Sequence, residues 1–191
     1  MRAEKHLQNT TTLTNGIDLD ALHAAVRDIE RDPHNGIVEF RVTSRWQGQT
    51  RSRTKVESYS MGGQRIDRSF TIDIDEPLEL LGENTAPNPQ EMLLSALNSC
   101  ITVGYVVGAA AKGIKLKRLE IETSGQLDLR GFLGIDPEVR PGYETINYVV
   151  RINGDGTPEQ FREIHETVMR TSPNYFNITR PIAIAAELRV E

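Results

Sequence analysis

Cys100 carries the most reactive side chain of this sequence, which has 191 residues and one cysteine. It lies in the longest uncharged stretch of the chain, residues 92–111, directly after Asn88-Pro89-Gln90-Glu91. A cysteine thiolate is a strong nucleophile and is readily oxidised by peroxides. A free cysteine in apolar surroundings is often simply a small buried hydrophobe. What Cys100 does therefore depends on the element that carries it and on what covers that element.

The residues around Cys100 predict a long helix. Asn88 suits the N-cap, Pro89 suits the first helical position, and Glu91 completes a capping box. Gly113 is a natural stop. Small residues recur at every fourth position and form one stripe where another backbone can approach closely: Ala96, Cys100, Gly104 and Gly108. The stripe is consistent with tight packing around an inert thiol and with a crevice lined by Cys100, and both interpretations stay open here.

The same stretch is long and apolar enough to be considered as a membrane span. Four polar residues within it argue against a span: Ser95, Asn98, Ser99 and Thr102. The sequence contains no second stretch of this kind, and its first residues do not resemble a secretory signal. We therefore expect the buried central helix of a soluble protein, with no membrane partner.

Composition narrows the class of protein. Hydrophobic residues make up 38% and charged residues 26% of the chain, as in ordinary globular proteins, and the net charge of −5 argues against general binding of nucleic acid. One cysteine cannot form an intramolecular disulfide, so the cytoplasm is the expected compartment. The four histidines are scattered and no phosphate-binding loop is present, so we expect neither a metal nor a cofactor.

The flanking segments predict an α+β fold. The predicted elements are a helix (18–31), three strands (38–42, 54–60 and 70–74), the long helix, two strands (119–123 and 146–152), a helix (157–169) and a final strand (182–190). Strands and helices that are segregated and joined by short connections favour antiparallel sheets. Two such sheets around the long apolar helix, with a second copy of the chain covering the rest of that helix, would satisfy the pattern.

Several motifs resemble those of a known family. They are Trp46-Gln47-Gly48, the run from Pro89 to Cys100, Lys112-Gly113-Ile114, and Ser172-Pro173 ahead of Arg180-Pro181. On these residues the chain resembles the OsmC/Ohr superfamily of osmotically inducible and organic hydroperoxide resistance proteins. The resemblance implies an OsmC-like domain over 36–191 and leaves 1–35 as an N-terminal extension with one helix. It also implies an intertwined homodimer with two active sites at the subunit boundary, each using the helix cysteine.

The resemblance implies roles for two positions in thiol chemistry. In peroxidases of that family the helix cysteine attacks an organic hydroperoxide, and a second cysteine resolves the resulting sulfenic acid. Cys100 matches the attacking cysteine, whereas Ser172 stands where the second cysteine would precede Pro173. Serine cannot form a disulfide, so a sulfenic acid on Cys100 would require an external thiol reductant.

The resemblance also implies an arginine that activates the thiol and a glutamate that holds this arginine. Gln90 occupies the glutamate position, and Glu91 lies one place later, where its role in the cap is a sufficient explanation. Arg51 and Arg53 are the candidate arginines. A glutamine cannot provide the charge-assisted hydrogen bond of a carboxylate, which is worth roughly 1.5–3 kcal/mol, so the orientation of the arginine is less well fixed.

Three functions follow as hypotheses. The first is a one-cysteine peroxidase that reduces organic hydroperoxides through Cys100 and an external thiol, with a crevice beside Val103, Tyr105 and Val107 that would suit an apolar substrate. The second is a non-enzymatic dimer that binds a small hydrophobic molecule in the crevice between its subunits, which Cys100 only lines. The third is a redox sensor or structural interaction protein in which oxidation of Cys100 loosens the dimer.

Overall fold

The computed structural model describes residues 13–190. Contacts along the chain group it into two compact units, the first ending at Met92 and the second beginning at Leu93. The predicted division into an extension, 1–35, and a domain, 36–191, stays a prediction.

The first unit begins with a short ribbon and a helix. Strands β1 (Leu13–Thr14) and β2 (Ile17–Asp18) pair antiparallel, and helix α1 (Leu19–Arg31) follows at once. The Asp18 carboxylate accepts a hydrogen bond of 2.9 Å from the Ala21 backbone N–H and so caps the helix. The predicted helix over 18–31 is confirmed.

The main sheet of the first unit has four antiparallel strands: β3 (Val38–Phe40), β4 (Thr43–Trp46), β5 (Ser52–Met61) and β6 (Gln64–Ile74). Strand β5 pairs with β3 and β4 along one edge and with β6 along the other. Gly62 and Gly63 form the β5–β6 turn with φ of 55° and 75°, a conformation that glycine adopts without strain. Because side chains alternate along a strand, Arg53 pairs with Asp73 on one face, while Val56 pairs with Phe70 on the other.

The second unit is assembled on the long helix α2 (Pro89–Ala111), which starts at the end of the first unit. A hairpin of β7 (Leu116–Gly125) and β8 (Ile146–Gly154) follows, with the short helix α3 (Leu129–Phe132) in its connecting loop. Helices α4 (Pro158–Thr171) and α5 (Pro173–Thr179) come last. The two larger antiparallel sheets and the long apolar helix confirm the α+β class.

The core of the second unit lies along one side of α2. Leu97, Ile101, Tyr105 and Ala109 follow one another at intervals of four residues and are at most 3% exposed. They pack against Ile114, against Ile164 and Val168 of α4, and against the inward-facing side chains of β7 and β8. Burial of this stripe positions the helix, because a leucine or isoleucine side chain removed from water contributes roughly 1.5–3 kcal/mol.

Within residues 13–190, α2 is the one helix with the length and mean hydropathy, 1.6, that a membrane span requires. The core helix of a soluble protein meets the same criteria, and one side of α2 does form the core of the second unit. Length and composition therefore do not make α2 a membrane helix.

The predicted final strand over 182–190 is wrong. Residues 181–190 have no regular secondary structure, and Ile184, Leu188 and Val190 are at least 87% exposed. Their alternating pattern is that of a strand, but a strand forms only where a neighbouring edge accepts its hydrogen bonds, and no other described strand pairs with it. Helix α5 was not predicted from the sequence.

Candidate functional site

The small-residue stripe of α2 faces helices α4 and α5. A Cβ atom added to Gly104 would lie 3.0 Å from Cγ2 of Val168, and one added to Gly108 would lie 3.1 Å from Cγ2 of Ile164. The next small residue along the stripe, Cys100, lies with its Sγ 3.3 Å from Oγ of Ser172. The backbones of α2 and α4 therefore approach closely, and this approach brings Cys100 against Ser172.

Ser172 occupies a position that fixes its hydroxyl group. It ends α4 and caps α5, where its Oγ accepts a hydrogen bond of 3.3 Å from the Tyr175 backbone N–H. The side chain is buried, with 6% of the residue exposed, whereas Cys100 is half-buried. Because its oxygen accepts from Tyr175, the hydroxyl hydrogen is available to a thiolate on Cys100, which a hydrogen bond would stabilise.

A further hydrogen bond ties α5 to the same part of α2. The Asn174 side-chain amide donates to the backbone carbonyl of Ala96 at 2.8 Å. That carbonyl accepts this bond one helical turn before Cys100, so α5 is anchored beside the thiol. No local pattern indicates this contact, because Asn174 is 78 residues from Ala96.

The start of α2 has the capping box that the sequence predicts. The Glu91 backbone N–H donates to Oδ1 of Asn88, and the Asn88 backbone N–H donates to Oε2 of Glu91, both at 2.8 Å. Glu91 is thus engaged in the cap. Gln90, the residue at the position of the family glutamate, is half-buried.

Arg53 is held on the polar face of the main sheet. Its Nε and Nη2 donate to the two carboxylate oxygens of Asp73 at 2.6 and 3.1 Å. The hydrogen bond raises the pKa of Arg53 and lowers that of Asp73, and both side chains are about half exposed. Arg53 is therefore committed to a cross-strand ion pair.

Arg51 lies at the end of the turn before β5 and has different neighbours. Its Nη1 pairs with Oε2 of Glu83 at 2.9 Å, and its Nη2 donates to the carbonyl of Gln47 at 3.2 Å. Its Nε is buried and has no acceptor among the described residues. Both arginines line a cavity of 340 Å³ in the first unit, together with Asp73 and Thr85.

A second polar cluster, of which only Tyr105 was predicted to lie beside a crevice, is formed between α2, β8 and α4. The hydroxyl of Tyr105 lies 2.5 Å from Nδ1 of His165, and the Tyr148 hydroxyl contacts the sulfur of Met169. Burial raises the pKa of Tyr105 to about 12, so its hydroxyl stays protonated at neutral pH and can donate to His165. Beside it is a cavity of 390 Å³ whose lining includes Tyr105, Tyr148, Phe161 and His165.

Metal ligation has no geometric support in the described part of the chain. Within residues 13–190, no three side chains of His, Cys, Asp or Glu are grouped so that they could hold a metal ion.

Comparison with known proteins identifies the family of this chain. The family model described as "OsmC-like protein" matches residues 82–187, which is more than half of the chain. The chain therefore belongs to the OsmC-like protein family. No curated protein matches its sequence.

Two solved structures with TM-scores above 0.5 show the same fold. An OsmC-like protein from Mycoplasma pneumoniae superposes with a TM-score of 0.55 at 18% identity, covering 74% of this chain and 87% of that one. A protein of Psychrobacter arcticus 273-4, provisionally described as an osmotic stress induced and detoxification response protein, gives 0.54 at 16% identity, covering 70% and 84%. An OsmC-like hydroperoxide resistance protein from Jannaschia sp. CCS1 is less alike, with a TM-score of 0.44 at 14% identity, covering 80% and 93%. At 18% and 16% identity, the first two structures show a likeness of fold alone.

Proposed function

We propose that this protein is a thiol peroxidase of the oxidative-stress response that reduces organic hydroperoxides at Cys100 and is regenerated by an external thiol. One observation carries the proposal: the half-buried Sγ of Cys100 lies 3.3 Å from the hydroxyl of Ser172. Family membership supports it, since the motif around Cys100 falls within the matched residues 82–187. The cytoplasm, where small thiols are abundant, is the proposed compartment.

The proposed cycle requires one cysteine and two molecules of thiol. The Cys100 thiolate attacks the terminal oxygen of the hydroperoxide, so that an S–O bond forms, the O–O bond breaks, and the leaving alkoxide takes up a proton to give an alcohol. The sulfur is oxidised to a sulfenic acid. One external thiol then condenses with the sulfenic acid, which releases water and forms a mixed disulfide with Cys100. A second external thiol attacks the outer sulfur of this mixed disulfide, which releases a small-molecule disulfide and restores the Cys100 thiolate.

Two groups are proposed to stabilise the reacting sulfur. The Ser172 hydroxyl donates to the thiolate and later to the sulfenic acid, which it cannot convert to a disulfide. The family resemblance implies an arginine that activates the thiol, and Arg51 is the candidate that we propose for it, because Arg53 is already held by both oxygens of Asp73. The unpartnered Nε of Arg51 supports this choice. Gln90 and Glu91 are proposed to act only in the first turn of the helix that carries Cys100.

The protein is proposed to act as a homodimer. Only 22% of the most apolar window of α2 is buried within the chain, and Val103 on that helix is 62% exposed. The exposed, alternating segment 182–190 also offers backbone groups for pairing with another strand. A second copy would cover both, because homodimers bury the same surface patches on each subunit.

The direct test is steady-state reduction of cumene hydroperoxide with an excess of a small monothiol. We expect turnover by the wild type, none by Cys100→Ser, and wild-type turnover by Ser99→Ala, a neighbouring change on the same helix. Equal rates in wild type and Cys100→Ser would remove the thiol from the reaction and refute the proposal.

Binding without catalysis is the second candidate, and the 390 Å³ cavity beside Tyr105, Tyr148 and Phe161 favours it. In this alternative a small hydrophobic molecule binds in a crevice of the dimer, and Cys100 has no catalytic role. Native mass spectrometry of protein purified without added ligand distinguishes the two, because a retained small molecule together with no peroxide consumption supports binding.

A further inference from the structure

The cavity of 390 Å³ in the second unit is lined by residues of α2, of strand β8 and of the first half of helix α4. Its walls are three aromatic rings and two aliphatic side chains, those of Tyr105, Tyr148, Phe161, Val150 and Ile152. A volume of this size and a mainly apolar lining are typical of sites that bind small organic molecules. The walls would therefore suit the hydrocarbon part of such a molecule.

This cavity is separate from the thiol site of the same unit. Tyr105 follows Cys100 by five residues on α2, which directs the two side chains about 140° apart around the helix axis. His165 precedes Ser172 by seven residues, or about 10 Å along the axis of α4. A ligand in the cavity therefore needs no contact with the thiol, and its binding can be measured in a protein that lacks Cys100.

His165 provides a hydrogen-bond donor at this cavity. Burial raises the pKa of Tyr105 to about 12, so its hydroxyl keeps its hydrogen at neutral pH and donates to Nδ1 of His165, 2.5 Å away. A neutral imidazole carries one ring hydrogen, and when Nδ1 accepts, that hydrogen lies on Nε2. Within residues 13–190, Nε2 of His165 has no hydrogen-bond partner. The Nε2–H group is therefore available to a ligand.

The charges around the cavity favour an anionic group on that ligand. Arg162 also lines the cavity, and within residues 13–190 no aspartate or glutamate does so. One nitrogen of Arg162, Nη2, pairs with Oε1 of Glu159 at 2.5 Å, which leaves other guanidinium N–H groups to donate. A carboxylate can accept hydrogen bonds from Arg162 and His165, whereas an ammonium group would meet only donors.

We propose that this cavity binds a small hydrophobic carboxylic acid. The hydrocarbon part lies between the aromatic rings, and the carboxylate accepts hydrogen bonds from Nε2–H of His165 and from the guanidinium of Arg162. Tyr105 acts on the carboxylate through His165, since it fixes which ring nitrogen donates. No step of the peroxidase cycle requires this ligand, so the inference goes beyond the proposed function.

The test is isothermal titration calorimetry of the full chain with cinnamate and, separately, with cinnamyl alcohol, which has the same ring and no charge. We expect the wild type to bind cinnamate about tenfold more tightly than the alcohol, the lower end of what a hydrogen bond to a charged group contributes. His165→Phe should weaken cinnamate binding about tenfold and alcohol binding less, because a neutral acceptor forms the weaker hydrogen bond. Arg162→Gln should weaken cinnamate binding about threefold, since an exposed charge contributes less.

Two further variants define the location. Val150→Phe places a ring in the cavity and should abolish binding of both compounds. His34→Phe changes an exposed histidine of the first unit and should bind both as the wild type does. His165 is itself exposed, so its replacement should leave the protein folded, which thermal unfolding of each variant checks.

The outcomes separate this inference from the peroxidase. No cinnamate binding at millimolar concentration, equal wild-type affinity for the two compounds, or equal losses in His165→Phe would each overturn the carboxylate site. Unchanged binding in Val150→Phe would place the ligand elsewhere and overturn it too. Cys100→Ser should bind cinnamate as the wild type does, and this binding together with no wild-type peroxide turnover would overturn the peroxidase alone.

Discussion

Replacing Ser172 by cysteine tests the central geometry of the site. The Ser172 Oγ lies 3.3 Å from Cys100 Sγ, so a sulfur at this position needs to move by only about 1 Å to reach bonding distance, given an S–S bond of about 2 Å. We expect Ser172→Cys to form an intramolecular disulfide under mild oxidation. Its sulfenic acid would then be resolved within the chain, and turnover would be supported by dithiols.

The stability change can be worked from the loop that the disulfide closes. A loop of about 70 residues between positions 100 and 172 removes chain entropy worth about 4 kcal/mol at 25 °C. The reduced variant should be less stable than wild type by about 1 kcal/mol, because serine is the better N-cap for α5. Oxidised Ser172→Cys is therefore expected to be about 3 kcal/mol more stable than wild type.

The assay combines thiol counting, mass and denaturant unfolding of the oxidised and reduced variant. Thr171→Cys is the control, because Thr171 is exposed and its hydroxyl donates to the Thr167 carbonyl on the outside of α4. We expect that control to keep two free thiols. If oxidised Ser172→Cys also keeps two free thiols while folded, the contact between α2 and the α4–α5 junction is refuted.

Three further outcomes are expected. Ile101→Ala removes a fully buried side chain and should lower the free energy of unfolding by about 2–5 kcal/mol in urea; a loss under 1 kcal/mol would contradict the packing of α2. Burial opposes ionisation of Asp75, but hydrogen bonds from Thr85, Thr50 and Glu76 outweigh it and hold the pKa of this carboxyl well below its ordinary value. The ionised Asp75 therefore contributes to the free energy of unfolding above its unfolded-state pKa of about 3.9, and this contribution is lost as the pH falls below that value. We expect Asp75→Asn to be less stable than wild type at pH 7 and to lose less stability than wild type on acidification. The raised pKa of Tyr105 predicts a loss of wild-type stability between about pH 10 and about pH 12, and unchanged alkaline unfolding in Tyr105→Phe would contradict it.

Local signals in the sequence predicted the elements well. The Asn88–Glu91 capping box and the Thr157–Gln160 capping box both form as the residues indicate. Such signals work because the partners lie within one helical turn of each other. The Ser172-Pro173 pair is also a helix start, and it offered a readable signal for α5 that was missed.

The final strand shows where a local pattern misleads. Residues 182–190 alternate as a strand does, yet the pattern specifies only which side chains share a face. Hydrogen-bonded pairing depends on another segment, and no position in 182–190 identifies that segment.

The sequence by itself determined the α+β class, the bounds of the long helix, and the small residues that let another helix approach Cys100. The tertiary structure alone decided that Ser172, 72 residues away, meets the thiol, and that Arg51 pairs with Glu83 while Arg53 pairs with Asp73. The reason is the separation along the chain between the residues that interact. Helix caps and hydrophobic periodicity act between residues a few positions apart, whereas the partner of a side chain across the fold depends on the path of the whole chain between them.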